Sequence, residues 1–129
     1  MGYTHYWKLS EPISQENFSK ITSGVLQIVA TAQIAGINLD ATFESNEFII
    51  NGVGKNSHES FYMNTEKKGF NFCKTAFKPY DAVVTASLIY AKTILGDEIK
   101  ITSDGNWVDW QDGSILYEEI FGIEPLDVL

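Results

Sequence analysis

At 129 residues, with 44% hydrophobic and 13% aromatic side chains, the chain has enough core material for one domain, residues 1–129, without disulfides or metal to hold it together. Its formal net charge of −8, from nine basic and seventeen acidic residues, weighs against polymeric nucleic acid or an anionic membrane as partner. The single cysteine, Cys73, excludes an intramolecular disulfide framework. All nine basic residues are lysines, so a phosphate would be held by point charges, hydroxyls and backbone rather than by a guanidinium fork.

The N-terminal segment lacks the basic-then-apolar pattern of a leader, and no apolar run reaches membrane-spanning length. A cytoplasmic location is the expectation. Residues 3–9 alternate as a strand, with Tyr3, His5, Trp7 and Leu9 on one face and Thr4, Tyr6 and Lys8 on the other. Ser14 then caps a long helix whose buried stripe is Phe18, Ile21, Val25, Ile28, Val29 and Ala32, ending at Gly36. Short apolar segments over 47–53, 60–65 and 69–77 are separated by turn residues and read as a three-stranded antiparallel meander.

Pro79 and Asp81 suit the start of a second helix, whose buried face is Val83, Val84, Leu88, Ala91, Ile94 and Leu95 and whose end is Gly96. A strand over 98–102 follows, then a turn at Ser103-Asp104-Gly105-Asn106 and a second turn at Asp112-Gly113. Ser114 is placed to cap a short last helix that Gly122 terminates, and the tail beyond Ile123 is expected to be loosely held. The fold class expected is α+β: an antiparallel or mixed sheet of about five strands, two main helices on one face and a short C-terminal helix.

The strand-to-helix junction from Phe72 to Asp81 is the first place to look for a ligand. Lys74, Thr75 and Lys78 flank a helix start, whose free N–H groups and dipole favour an anion when left uncovered, although a solvated strand end explains the same residues. Tyr80 either stacks on a base or packs beneath the junction. Ser103, Asp104 and Trp107 combine a polar turn with a large ring, suited to a ribose or base edge and a stacked base, or to a core tryptophan and its turn. Glu59 is an acid, base or acceptor for an exocyclic amine, or an ordinary turn carboxylate. Trp7 and His5 share a strand face, where His5 is expected to be a hydrogen-bonded structural residue. The potential metal ligands His5, His58, Cys73, Asp104 and Asp109 are scattered, so no metal and no cofactor are expected.

The opening Met1-Gly2-Tyr3-Thr4-His5-Tyr6-Trp7, with Glu59-Ser60-Phe61, Phe72-Cys73-Lys74-Thr75-Ala76, Lys78-Pro79-Tyr80-Asp81, Ser103-Asp104-Gly105, Trp107, Asp109, Trp110 and Leu116-Tyr117-Glu118, resembles a widespread family of small phage and prophage proteins. The resemblance spans almost the whole chain. Its phage setting implies counter-defence in an infected or lysogenic bacterial host. In size and character the chain is similar to the phage sponges that sequester cyclic-nucleotide immune signals, as anti-CBASS proteins do.

The function expected is therefore non-enzymatic capture of a small nucleotide-derived signal by a homo-oligomer. Lys74, Thr75 and Lys78 would contact phosphate, Trp7, Tyr80 and Trp107 would stack, and Glu59, Ser103 and Asp104 would read base or sugar. The alternatives are a small hydrolase or phosphodiesterase using His5 or Glu59, and an acidic inhibitor of a host defence protein.

Overall fold

The computed structural model describes residues 3–129; Met1 and Gly2, which open the motif at the start of the chain, lie outside the described residues. The order is β1 (Thr4–Leu9), α1 (Gln15–Ile34), β2 (Leu39–Phe43), β3 (Glu47–Gly52), β4 (Phe61–Asn64), β5 (Gly69–Lys74), α2 (Asp81–Leu95), β6 (Ile99–Ser103) and α3 (Gln111–Phe121). The α+β class stands, but the strands form two three-stranded antiparallel sheets, ordered β5-β1-β6 and β2-β3-β4, instead of one sheet of about five.

Two sequence expectations change with that division. The meander is broken, because β5 leaves β4 and pairs along its whole length with β1, from Thr4↔Lys74 to Leu9↔Gly69. Where the β4 and β5 segments come together, the Glu59 N–H donates to the Lys74 carbonyl (3.1 Å) and the Lys74 N–H to Glu59 Oε1 (2.8 Å). The second change is an added strand, β2, whose Leu39, Ala41 and Phe43 alternate with exposed Asp40 and Thr42. Covered on one side only, such a short edge strand carries little apolar signal.

Helix α1 starts as its sequence requires: the Ser14 hydroxyl accepts the Asn17 N–H, and the expected stripe from Phe18 to Ala32 is buried. Helix α2 packs against both α1 and α3. One hydrophobic cluster joins the layers, including Trp7 of β1, Val25 of α1, Phe48 of β3, Leu88 of α2 and Leu116 of α3.

The region after β6 is more helical than the sequence indicates. Trp107–Trp110 form a 3₁₀ turn, begun by a reciprocal cap between Asn106 and Asp109, and α3 continues directly from it. Asp112-Gly113 is therefore inside α3, and Ser114 does not cap it. Gly113 is there because the backbones are close: a Cβ at this position would lie 2.8 Å from Thr85 Cβ and 3.0 Å from the Ala86 nitrogen of α2. Gly122, in the left-handed region at φ 71°, ends α3 as expected.

Candidate functional site

Alternation on β1 sends Tyr3, His5, Trp7 and Leu9 inward and Thr4, Tyr6 and Lys8 toward the outer face. Strand pairing then brings the ends of β5 and β6 and the start of α2 around His5. Fully buried, His5 lies 2.6 Å through Nε2 from Asp81 Oδ1 and 2.8 Å through Nδ1 from Ser103 Oγ. The Thr75 hydroxyl donates to the same Asp81 oxygen, while Ser103 Oγ accepts N–H groups from Gly105 (3.0 Å) and from the Trp110 indole (3.2 Å).

The tautomer follows from the partners: with Asp81 Oδ1 as acceptor, Nε2 carries the donated proton, and Nδ1 accepts from the Ser103 hydroxyl, whose lone pairs face Gly105 and Trp110. The order Asp81, His5, Ser103 is that of a nucleophile relay, but the Ser103 oxygen is already enclosed by two donors and His5 has no open side. The network ties the first residue of α2 to the last residue of β6. Tyr3 and Trp110 pack their rings edge-on to His5, with centroids at 4.8 and 4.9 Å.

Above this layer the loop from Thr75 to Tyr80 is held in an unusual path. Ala76 and Phe77 are consecutive non-glycine residues at φ 53° and 59°, a conformation costing of order 1–3 kcal/mol per residue. Three contacts impose it. The Thr75 and Ala76 N–H groups both donate to the Tyr3 carbonyl (3.1 and 3.2 Å), Thr75 is anchored on Asp81, and the Phe77 ring stacks on Tyr3 with centroids 3.6 Å apart. Phe77 is nonetheless 63% exposed.

Between this loop and the turn after β6 lies an open groove of about 810 Å³, walled by Tyr6, Lys74 and Phe77 on one side and by Asp104, Gly105 and Asp109 on the other. Tyr3 lies at its base, only 5% exposed, its hydroxyl near the Ser103 side chain but without a hydrogen bond of ordinary geometry. Burial pushes that hydroxyl's pKa up to about 12, with the charge of Asp81 adding to the effect, so at neutral pH it is protonated and can both donate and accept. Tyr6 donates to Asp104 Oδ1 (3.0 Å), a bond that raises its own pKa, and Asp104 Oδ2 accepts the Thr4 N–H (3.1 Å). Gly105 lets the turn after β6 close over Tyr3: a Cβ there would stand 2.5 Å from the Tyr3 oxygen and 3.0 Å from the Asp109 Cβ.

Of the residues singled out in the sequence, Lys74 and Asp104 meet in this groove. Trp7 and Tyr80 are core residues, contrary to the stacking role expected of them. Trp7 packs against Phe61 at 5.3 Å, and Tyr80, wholly buried, donates its hydroxyl to the Glu59 carbonyl. Burial raises the Tyr80 pKa as well. Thr75 is buried with its hydroxyl on Asp81, and Ser103 is engaged by His5, Gly105 and Trp110, so neither offers a free group to a ligand.

Nor is the start of α2 an open anion cradle. The Asp81, Val83 and Val84 N–H groups donate to the carbonyls of Lys78 and Tyr80, satisfying the donors that an anion would need. Lys78 is half-buried in the loop, Glu59 is exposed with its carboxylate on the Lys74 N–H, and Trp107 lines a separate cleft of about 360 Å³ with Glu118 and Glu124. Among the described residues no group of three or more His, Cys, Asp or Glu could hold a metal ion, and no helix is long and apolar enough to cross a membrane.

Tyr3, Tyr6, Phe77 and Asp109 are the groove residues that sequence reasoning passed over as ligand contacts. The outward position of Tyr6 follows from the alternation on β1, whereas nothing local marks the left-handed turn at Ala76-Phe77. No protein-family model matches the chain, and no curated protein or solved structure matches it significantly.

Proposed function

We propose that this protein binds a small nucleotide-derived ligand in the groove and releases it chemically unchanged. The observation that carries the reading is the open groove walled by exposed Phe77, by Tyr6 and by Lys74, with the Tyr3 hydroxyl directly beneath it. Phe77 and Tyr6 supply aromatic surface for a base, Lys74 a charge for phosphate, and Asp104 and Asp109 acceptors for sugar hydroxyls or an exocyclic amine.

Simple capture fits better than turnover, because the one buried histidine has both nitrogens engaged beneath the groove. The resemblance to small phage proteins makes a cyclic nucleotide immune signal the ligand to test first, and the role a sponge for that signal. Thermal-shift screening against mononucleotides and cyclic di- and trinucleotides tests this, since a ligand bound only by the folded state raises the melting temperature. The expected result is a shift with at least one nucleotide, abolished in Lys74→Ala, and intact ligand recovered after denaturation. Steady conversion to product, or no shift across the panel, overturns the proposal.

A further inference from the structure

The outer face of the β5-β1-β6 sheet continues the groove and carries aromatic rings where a half-solvated sheet ordinarily carries polar residues. Register arranges it in rows. Lys100, Lys8 and Phe70 lie across the sheet in one row, Thr102, Tyr6 and Phe72 in the next, and Thr4 and Lys74 at the groove end. Phe70 is 64% and Phe72 55% exposed, and Lys8 and Lys100 are exposed beside them. The rings are close neighbours: Tyr6 to Phe70 is 5.8 Å and nearly parallel, and Phe70 to Phe72 is 6.1 Å.

Tyr6 is the link, since its side chain is both a groove wall and a member of this aromatic row. Charge points the same way. The chain is strongly acidic overall, yet the rows of this face carry Lys8, Lys74 and Lys100, with Lys67 and Lys68 beside Glu66 in the turn leading into β5, and the nearby carboxylates lie at the groove end, Asp104 and Asp109 in the groove and Glu59 on the Lys74 N–H. Within the groove Lys74 is the only cation beside Asp104 and Asp109, so a ligand with a second phosphate finds its counter-charge farther along the sheet.

We propose that the ligand carries at least two nucleotides, one in the groove and the next stacked on Phe72 and Phe70, with its phosphate toward Lys8 and Lys100. The inference rests on the groove reading and extends it from a nucleotide-sized to a dinucleotide-sized ligand. Residues two apart on a strand are about 7 Å apart, so Lys74, Phe72 and Phe70 offer successive contacts along roughly 13 Å of β5.

Calorimetric titration with AMP, linear pApA and cyclic diadenylate separates the possibilities. The wild-type protein should bind one of the two-base probes about tenfold or more tightly than AMP, as expected of one base–aromatic stack. Phe70→Ala/Phe72→Ala, at exposed positions, should remove that advantage while leaving AMP affinity unchanged, and Lys8→Ala/Lys100→Ala should weaken only the two-base probe and flatten its salt dependence. Equal affinity for AMP and both two-base probes, or an equal loss for all of them in the phenylalanine variant, overturns the extension and leaves the groove standing. Binding of a two-base probe that is indifferent to Tyr3→Phe and Lys74→Ala overturns the groove instead. No binding by any probe overturns both. A wild-type dimer that the phenylalanine variant converts to monomer, with ligand affinity unaltered, makes the face a contact between copies of the chain and overturns the extension.

Discussion

Replacing Tyr3 by phenylalanine separates a binding role for its hydroxyl from a structural one, because the two predict opposite changes in stability. The ring is held by Phe77 at 3.6 Å and by His5 at 4.8 Å, contacts that phenylalanine keeps. What it loses is an oxygen that is buried and makes no hydrogen bond. Leaving such a group unsatisfied costs about 1–3 kcal/mol, so Tyr3→Phe should stabilise the ligand-free protein by about 1 kcal/mol, the lower end allowing for the small void left behind. For a chain of this size that is a rise of about 3 °C in melting temperature. Binding should move the other way: loss of one hydrogen bond of about 1 kcal/mol weakens nucleotide affinity by roughly fivefold. Chemical denaturation and titration of the same sample read both. If Tyr3→Phe destabilises the protein by 1 kcal/mol or more, the hydroxyl has a structural partner, and the reasoning that assigns it to a ligand fails.

Gly113→Ala should cost about 1–3 kcal/mol by overpacking, despite the better helix propensity of alanine, because the new methyl meets α2 backbone and the Thr85 side chain; urea titration gives the value. His5→Ala removes the partner of the Asp81 carboxylate and of the Ser103 hydroxyl proton, so a loss of about 3 kcal/mol is expected, whereas a stability change below 1 kcal/mol on chemical denaturation would show that the network does not hold the sheet to α2. Burial raises Cys73 from an ordinary 9.0 to about 12, with the Glu59 charge adding, and Tyr3 rises from 10.0 to about 12. Both groups lose their protons earlier in the unfolded chain, so their contribution to stability is whole below pH 9 and declines from there through about pH 12. A pH series of melting temperatures should fall in that window, and less steeply in Cys73→Ala. The same burial should leave the Cys73 thiol unreactive toward a thiol reagent until the protein unfolds.

The parts of this fold that were legible in sequence are those governed by local periodicity. The alternation from Tyr3 to Leu9, the Ser14 cap and stripe of α1, the buried face of α2 and the glycine ends of α1, α2 and α3 need only neighbours along the chain, and the structure reproduces them. Even the outward turn of Phe70 and Phe72 was available, since strand alternation with Cys73 inward requires it.

Pairing was not legible, because a strand's hydrophobic pattern does not say which strand lies beside it; β5 reads as the end of a meander and instead closes on β1, sixty residues or more away in sequence. That choice builds the candidate site. It sets Lys74 beside Asp104, places Asp81 and Ser103 on either side of His5, and lets Tyr3 hold Ala76 and Phe77 in a left-handed turn. The sequence supplied lysines, rings and hydroxyls in suggestive runs. Which of them face solvent together and which, like Trp7, Thr75 and Tyr80, are taken into the interior depended on contacts between residues far apart in the chain, and only the tertiary structure decides those.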